Sequence, residues 1–160
     1  MALLNRVPWH FVDENDYSIT SYERVQELIG KGFLFEACAV QSLVLESMLF
    51  HLILLKSIEK TPSEAEQIKR GVTKKPMGVL INICRKHKLF DSQFIQCLDD
   101  YREKRNLLVH RHLQYKMKFD YKPFIEESNA LIEKFSEKIR LLVGKRLSEM
   151  GHPDAKKWLS

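Results

Sequence analysis

The segment FLFEACAVQSLVLESMLFHLILL, residues 33–55, constrains the fold of this 160-residue chain more than any other. Its apolar residues recur at helical spacing on two neighbouring stripes. Phe33, Ala37, Val40, Val44, Met48 and Leu55 form one, and Cys38, Leu45, Leu49 and Leu52 the other. A helix apolar around so much of its circumference has to be surrounded, which puts it at the centre of a helical bundle. Glu36, Gln41, Ser42, Glu46 and His51 interrupt the segment. No uncharged apolar run of about 18 residues remains, and a membrane span is not expected. His51 reads as a satisfied core or interface histidine rather than a ligand. Glu46 needs a partner if it is buried among leucines, and an arginine on the helix of residues 91–113 is the natural one.

The rest of the chain is punctuated by its five prolines, at 8, 62, 76, 123 and 153, each where helical periodicity breaks. No stretch alternates with period two and β-branched enrichment, so the expected class is all-α, an up-and-down bundle of about five helices. A first helix is expected from Thr20, in a capping box with Glu23, to Gly30 or Gly32. The apolar helix follows, from about Phe33 to Ser57. Thr61-Pro62-Ser63-Glu64 opens a short amphipathic helix to about Arg70. Further helices are expected from Pro76 to about Lys88, from an Asp91 cap to about Leu113, and from about Pro123 to near Gly151. These divide the chain into an N-terminal arm (1–19), a helical bundle (20–151) and a C-terminal tail (152–160). Trp9 and Phe11 on the arm are expected to pack over the bundle or a partner subunit.

The net charge of +5 is localised. Residues 102–118 hold Arg102, Lys104, Arg105, Arg111, Lys116 and Lys118 against Glu103 alone, and this window accounts for the whole excess. Such a cluster favours an anionic partner. Cys38, Cys84 and Cys97 are widely spaced and form no CxxC, so they read as small buried hydrophobes in a reducing compartment. The N-terminus lacks a continuous apolar h-region, and a cytoplasmic protein is expected.

The charged window contains YREKRNLLVHRHL, and within it Arg105-Asn106-Leu107-Leu108-Val109-His110. Residues four apart on a helix are neighbours, so Arg102, Asn106 and His110 form a ladder on which Asn106 can orient the imidazole. Arg105 lies about 140° around the helix from His110, with the backbones roughly 8 to 9 Å apart. A long arginine can reach from there toward a phosphate shared with the histidine. His110 and His112 point about 200° apart, which argues against a metal pair. The basic run Arg85-Lys86-His87-Lys88 ends a helix, where positive charge suits the macrodipole.

The pattern Arg-polar-x-x-x-His near the end of a helix resembles the Rx4–6H motif of the HEPN superfamily, the higher eukaryotes and prokaryotes nucleotide-binding domains. KGFLFEACAVQSLVLESML resembles that superfamily's second helix, and MGVLINICRKHKLF its short helix before the motif helix. The likeness spans about residues 20 to 145. It implies a HEPN-like bundle that dimerises through its motif helices, and a metal-independent endoribonuclease without cofactor, often a toxin or defence component. Arg105 and His110 match the defining positions and Asn106 the polar one. The resemblance then implies that His110 acts as general acid or base on the ribose 2′-hydroxyl or the leaving 5′-oxygen. Arg105 would stabilise the phosphorane and Asn106 position His110. Arg102, Lys104, Arg111, His112, Lys116 and Lys118 would contact nucleic acid, with Glu46 in support. Family toxins paired with a nucleotidyltransferase antitoxin tend to carry a tyrosine two residues after the histidine. His112 stands there instead, a departure that bears on any antitoxin partner. The same fold also occurs as a non-catalytic module binding nucleotide, nucleic acid or protein.

Overall fold

The computed structural model describes residues 21–73, 75–115 and 120–159, with the side chains of 21, 22, 111–115 and 158 outside that description. The described chain is all-α: α1 (Ser21–Gly30), α2 (Leu34–Ser57), α3 (Pro62–Val72), α4 (Met77–Lys86), α5 (Ser92–Tyr115), α6 (Lys122–Glu149) and α7 (Ala155–Leu159). There are thus seven helices among the described residues, where the sequence led us to expect about five. The short helix expected after Thr61 is present and runs to Val72, and the expected tail contains a further helix, α7. His152 to Asp154 start α7, which returns to α6 with Ala155 buried. The expected Thr20 cap and the arm with Trp9 and Phe11 lie outside the described residues.

Local chemistry sets most of the boundaries. α3 starts where Pro62 fills the first helical position and Thr61 Oγ1 accepts the Glu64 N–H at 3.3 Å. α5 starts at Asp91, whose Oδ1 accepts the Phe94 N–H at 2.7 Å. α1, α4 and α6 end alike. A residue with positive φ (Gly32, Lys88 and Gly151) donates to the carbonyl three back, and the next N–H reaches the carbonyl five back, a Schellman closure. Lys88 is the exception in this set, a side-chain-bearing residue held at φ 48°.

α2 is the central helix. Its deepest stripe is Cys38, Leu45, Leu49, Leu52 and Ile53, whereas Val40, Val44, Met48 and Leu55 are half-buried and Phe33 is exposed. Ala37 of the other expected stripe is fully buried as well, so burial does not divide along the two stripes, a distribution that periodicity on an apolar-all-round helix does not encode. α2 is long and apolar enough to cross a membrane by length and composition. Here 39% of that window is buried, packed against α1, α3, α4 and α6, while Ala39, Leu43, Ser47 and His51 leave one face exposed.

Polar contacts fix how these helices register. Gln41, fully buried, donates to the Ile125 carbonyl (3.3 Å) and to Asn129 Oδ1 (2.7 Å) on α6. Glu59, just past α2, meets Lys145 at 3.6 Å, so α2 and α6 run in the same direction. α5 runs oppositely, with Phe94 against Phe135 at one end and Lys104 against Glu127 at the other. Tyr101 of α5 sits between the two. Its hydroxyl lies 3.1 Å from Ser42 Oγ and 3.2 Å from Ser128 Oγ, and its ring stacks on Phe124 with centroids 5.1 Å apart. Burial raises the Tyr101 pKa, so the phenol stays neutral and hydrogen-bonded.

Candidate functional site

Tyr101 anchors the middle of α5, and the motif occupies the next turns of the same helix. Arg105, one turn beyond Tyr101, is half-buried. It lines a groove between α2 and α5 of about 170 Å³, together with Phe35, Cys38, Ala39, Ser42, Leu43, Leu108, Val109 and Phe124. Cys38 and Ser42 are buried at the floor. Leu43 is 63% exposed at the rim. Burial pushes the Cys38 thiol up to about 12, as it does for Cys84, so neither is a thiolate nucleophile near neutral pH.

The guanidinium of Arg105 donates from Nη1 to Asn106 Oδ1 at 3.2 Å. Spacing favoured a different pairing, Asn106 with His110, and no such hydrogen bond occurs among the described residues. Both side chains are exposed, and a long arginine folding back along its own helix reaches the carboxamide first. Arg24, Arg70, Arg85, Arg102 and Arg146 each have a carboxylate within 4.0 Å. Arg105 has none among the described residues. Its partner is a neutral amide, which orients the cation without cancelling its charge. His110 is exposed about one and a half turns further on.

The rest of the basic window is less free than its sequence implies. Lys104 donates to both Glu127 oxygens, at 2.8 and 2.9 Å, and that bond raises its pKa. Arg102 lies 3.7 Å from Asp99 and rests over Gly78, where a Cβ would sit 3.0 Å from Arg102 Nη1. Asp99 is shared, since it also accepts from Arg85. Glu127 and Asp99 both fall outside the window of residues 102–118, so a linear count misses the neutralisation they bring. The side chains of Arg111 and His112, together with Lys116 and Lys118, lie outside the described residues.

No family model, curated protein or solved structure matches this chain. The site therefore rests on its own geometry.

Glu46 is placed differently from the expectation. Its Oε2 accepts the Met77 N–H at 2.9 Å, so the central helix caps α4 rather than pairing with an arginine on α5. An N-terminal helix end offers unpaired N–H groups and a partial positive charge, a partner invisible to a search for cations. His51 is exposed, not in the core, and donates from Nδ1 to the Ser47 carbonyl at 2.7 Å. The basic run ending α4 is structural: Arg85 pairs with Asp99, and His87 Nδ1 lies 3.0 Å from Glu64 Oε1. The groove residues Phe35, Ala39, Leu43 and Val109 carried no motif. Their one sequence signal is a small residue, Ala39, one turn before Leu43 on the outer face of α2.

Proposed function

We propose that the chain is a HEPN-type, metal-independent endoribonuclease in which Arg105 and His110 of two copies share one cleft. The carrying observation is Arg105, a half-exposed guanidinium held by an amide and unpaired with any carboxylate among the described residues. A cation without a carboxylate partner, on the same helix as an exposed imidazole, suits a phosphodiester. In this reading the 2′-oxygen attacks phosphorus and the P–O5′ bond breaks, leaving a 2′,3′-cyclic phosphate and a 5′-hydroxyl. One histidine takes the 2′-hydroxyl proton and the other protonates the departing 5′-oxygen. Arg105 holds the phosphate and stabilises its extra charge in the transition state. RNA is the substrate class because only RNA carries the internal 2′-hydroxyl. Asn106 then positions Arg105, a role different from the one its spacing suggested. A role as a toxin or defence component, and an antitoxin partner, belong to the same proposal.

A second reading, a non-catalytic module that binds RNA or nucleotide, is favoured by the same contact. With Asn106 turned to Arg105, it gives His110 no hydrogen bond, and none among the described residues fixes that ring. RNA cleavage in EDTA separates the two. The enzyme reading expects the wild type to cut and His110→Ala to bind RNA without cutting. If neither protein cuts while both bind equally, the binding module stands and the enzyme reading fails.

A further inference from the structure

We propose that the α2–α5 groove beside Arg105 seats a nucleobase, so that a nucleoside phosphate is held by its base in the groove and by its phosphate on the guanidinium. This rests on the reading of Arg105 as a phosphate contact. It adds a subsite of residues to which the motif assigns nothing.

Three features of the groove point to this occupant. Its walls are apolar, with Leu43, Val109 and Phe35 around the opening and Leu108 and Phe124 behind. Ala39 leaves room where a larger side chain would fill the gap. The space, about 170 Å³, is that of roughly five to six waters at ~30 Å³ each, enough for one planar heterocycle. The third feature is charge. Among the described residues, the groove's one charged lining residue is Arg105, and no carboxylate pairs with it. An apolar slot with one free cation at its edge matches a ligand that is flat and apolar at one end and anionic at the other. A purely apolar side chain from a protein partner would fill the slot and leave the cation unused.

The floor also defines the selectivity. Ser42 Oγ already donates to the Cys38 carbonyl and meets the Tyr101 hydroxyl, and the Cys38 thiol is protonated. Apart from the Cys38 thiol, a weak donor, and Arg105, the described lining side chains are apolar or, as Ser42, already hydrogen-bonded, so the seat discriminates bases weakly. Contact with an aromatic or apolar face tolerates any base, because every base has one.

The test titrates uridine and adenosine 5′-monophosphates, ribose 5-phosphate and inorganic phosphate into the protein. A parallel arm uses a short single-stranded RNA and its analogue with one abasic nucleotide. Both nucleotides are expected to bind about tenfold more tightly than ribose 5-phosphate, in line with base-stacking contributions, and to differ little from each other. Ala39→Leu, at an exposed position, is expected to remove that gain, with the helical circular dichroism signal retained. Loss of affinity for the abasic RNA assigns the seat to a nucleotide within RNA. Gain with free nucleotides alone assigns it to a soluble ligand. Equal binding of nucleotides and ribose 5-phosphate by the wild type overturns the seat, whatever Ala39→Leu does. So does a groove closed by a second copy, seen as concentration-dependent dimerisation that Ala39→Leu abolishes without any nucleotide effect. Cleavage in EDTA without a base-dependent gain would sink the seat and leave the ribonuclease reading standing. A base-dependent gain without cleavage would do the reverse.

Discussion

The Glu46 carboxylate on α2 accepts the Met77 backbone N–H at 2.9 Å, so the central helix caps the helix packed across it. A half-buried carboxylate in an apolar stripe is thereby satisfied by an end of a helix instead of a cation. Two effects add at this contact: a hydrogen bond to an otherwise unpaired N–H, and a negative charge at the positive end of α4.

Glu46→Ala is therefore expected to cost about 1–2 kcal/mol, within the range for lost helix caps. For a chain of this size that lowers Tm by roughly 2–8 °C. Glu46→Gln, which keeps an acceptor oxygen, is expected to lose less than Glu46→Ala. Urea unfolding followed by circular dichroism measures both. Equal midpoints for wild type and Glu46→Ala would remove the cap from the account.

Lys88 closes α4 at φ 48°, a conformation that costs a side-chain-bearing residue about 1–2 kcal/mol. Gly32 and Gly151 make the same closure without that cost. Lys88→Gly is expected to raise stability by about 0.5–1 kcal/mol after the greater chain entropy of glycine is subtracted. A higher urea midpoint with an unchanged slope is the expected signature. A lower midpoint would show that the lysine side chain contributes more than its backbone strain costs.

Asp91 has its carboxyl held below the usual carboxylate value, chiefly by the Phe94 N–H and further by Lys138. A lowered folded pKa means that the charged form stabilises the native state. That contribution is complete above the unfolded value of 3.8 and is lost as pH falls through the lower folded value. Asp91→Asn caps as well but does not titrate. The stability advantage of the wild type over Asp91→Asn is expected at neutral pH and to shrink as pH falls below about 4. A difference that stays constant from pH 7 to pH 2 would contradict it.

Lys104 is neutralised by Glu127, so in the RNA-binding readings Glu127→Gln is expected to release a cation beside Arg105. Affinity for single-stranded RNA should rise, and the slope of log K against log salt should steepen by about 0.7, the value for one more phosphate contact. Lys104→Ala should weaken binding less than Arg105→Ala. Fluorescence anisotropy at several salt concentrations reads all three. An unchanged slope in Glu127→Gln would mean that RNA does not approach this face of α5.

What the sequence conveyed well was local. Proline at 62 and 76, Thr61 and Asp91 as caps, and glycine after α1 and α6 are each decided by a few neighbouring residues, and those boundaries are found where they were expected. The central place of α2 followed from having no polar face. Contacts between distant segments were not legible. The contact of Gln41 with Asn129, the return of α7 to α6, and the pairing of Lys104 with Glu127 depend on packing between parts of the chain with no local signature. At the motif, helical spacing set Arg105 well around the helix from His110. It missed the contact between sequence neighbours, Arg105 with Asn106, because side-chain length and exposure decide that competition and periodicity does not.

Gln41, Ser42 and Glu46 lie within about one and a half turns of α2 and reach α6, α5 and α4 respectively. One short segment therefore sets the register of three other helices at once. Sliding α2 by a single turn would exchange Leu45 for Leu49 and Leu49 for Ile53, similar apolar knobs, yet it would break all three polar contacts together. The bundle's specificity thus resides in a few polar atoms within an otherwise permissive core. Its unfolding should be all-or-none, because no helix bonded to this segment can detach without orphaning a group on it.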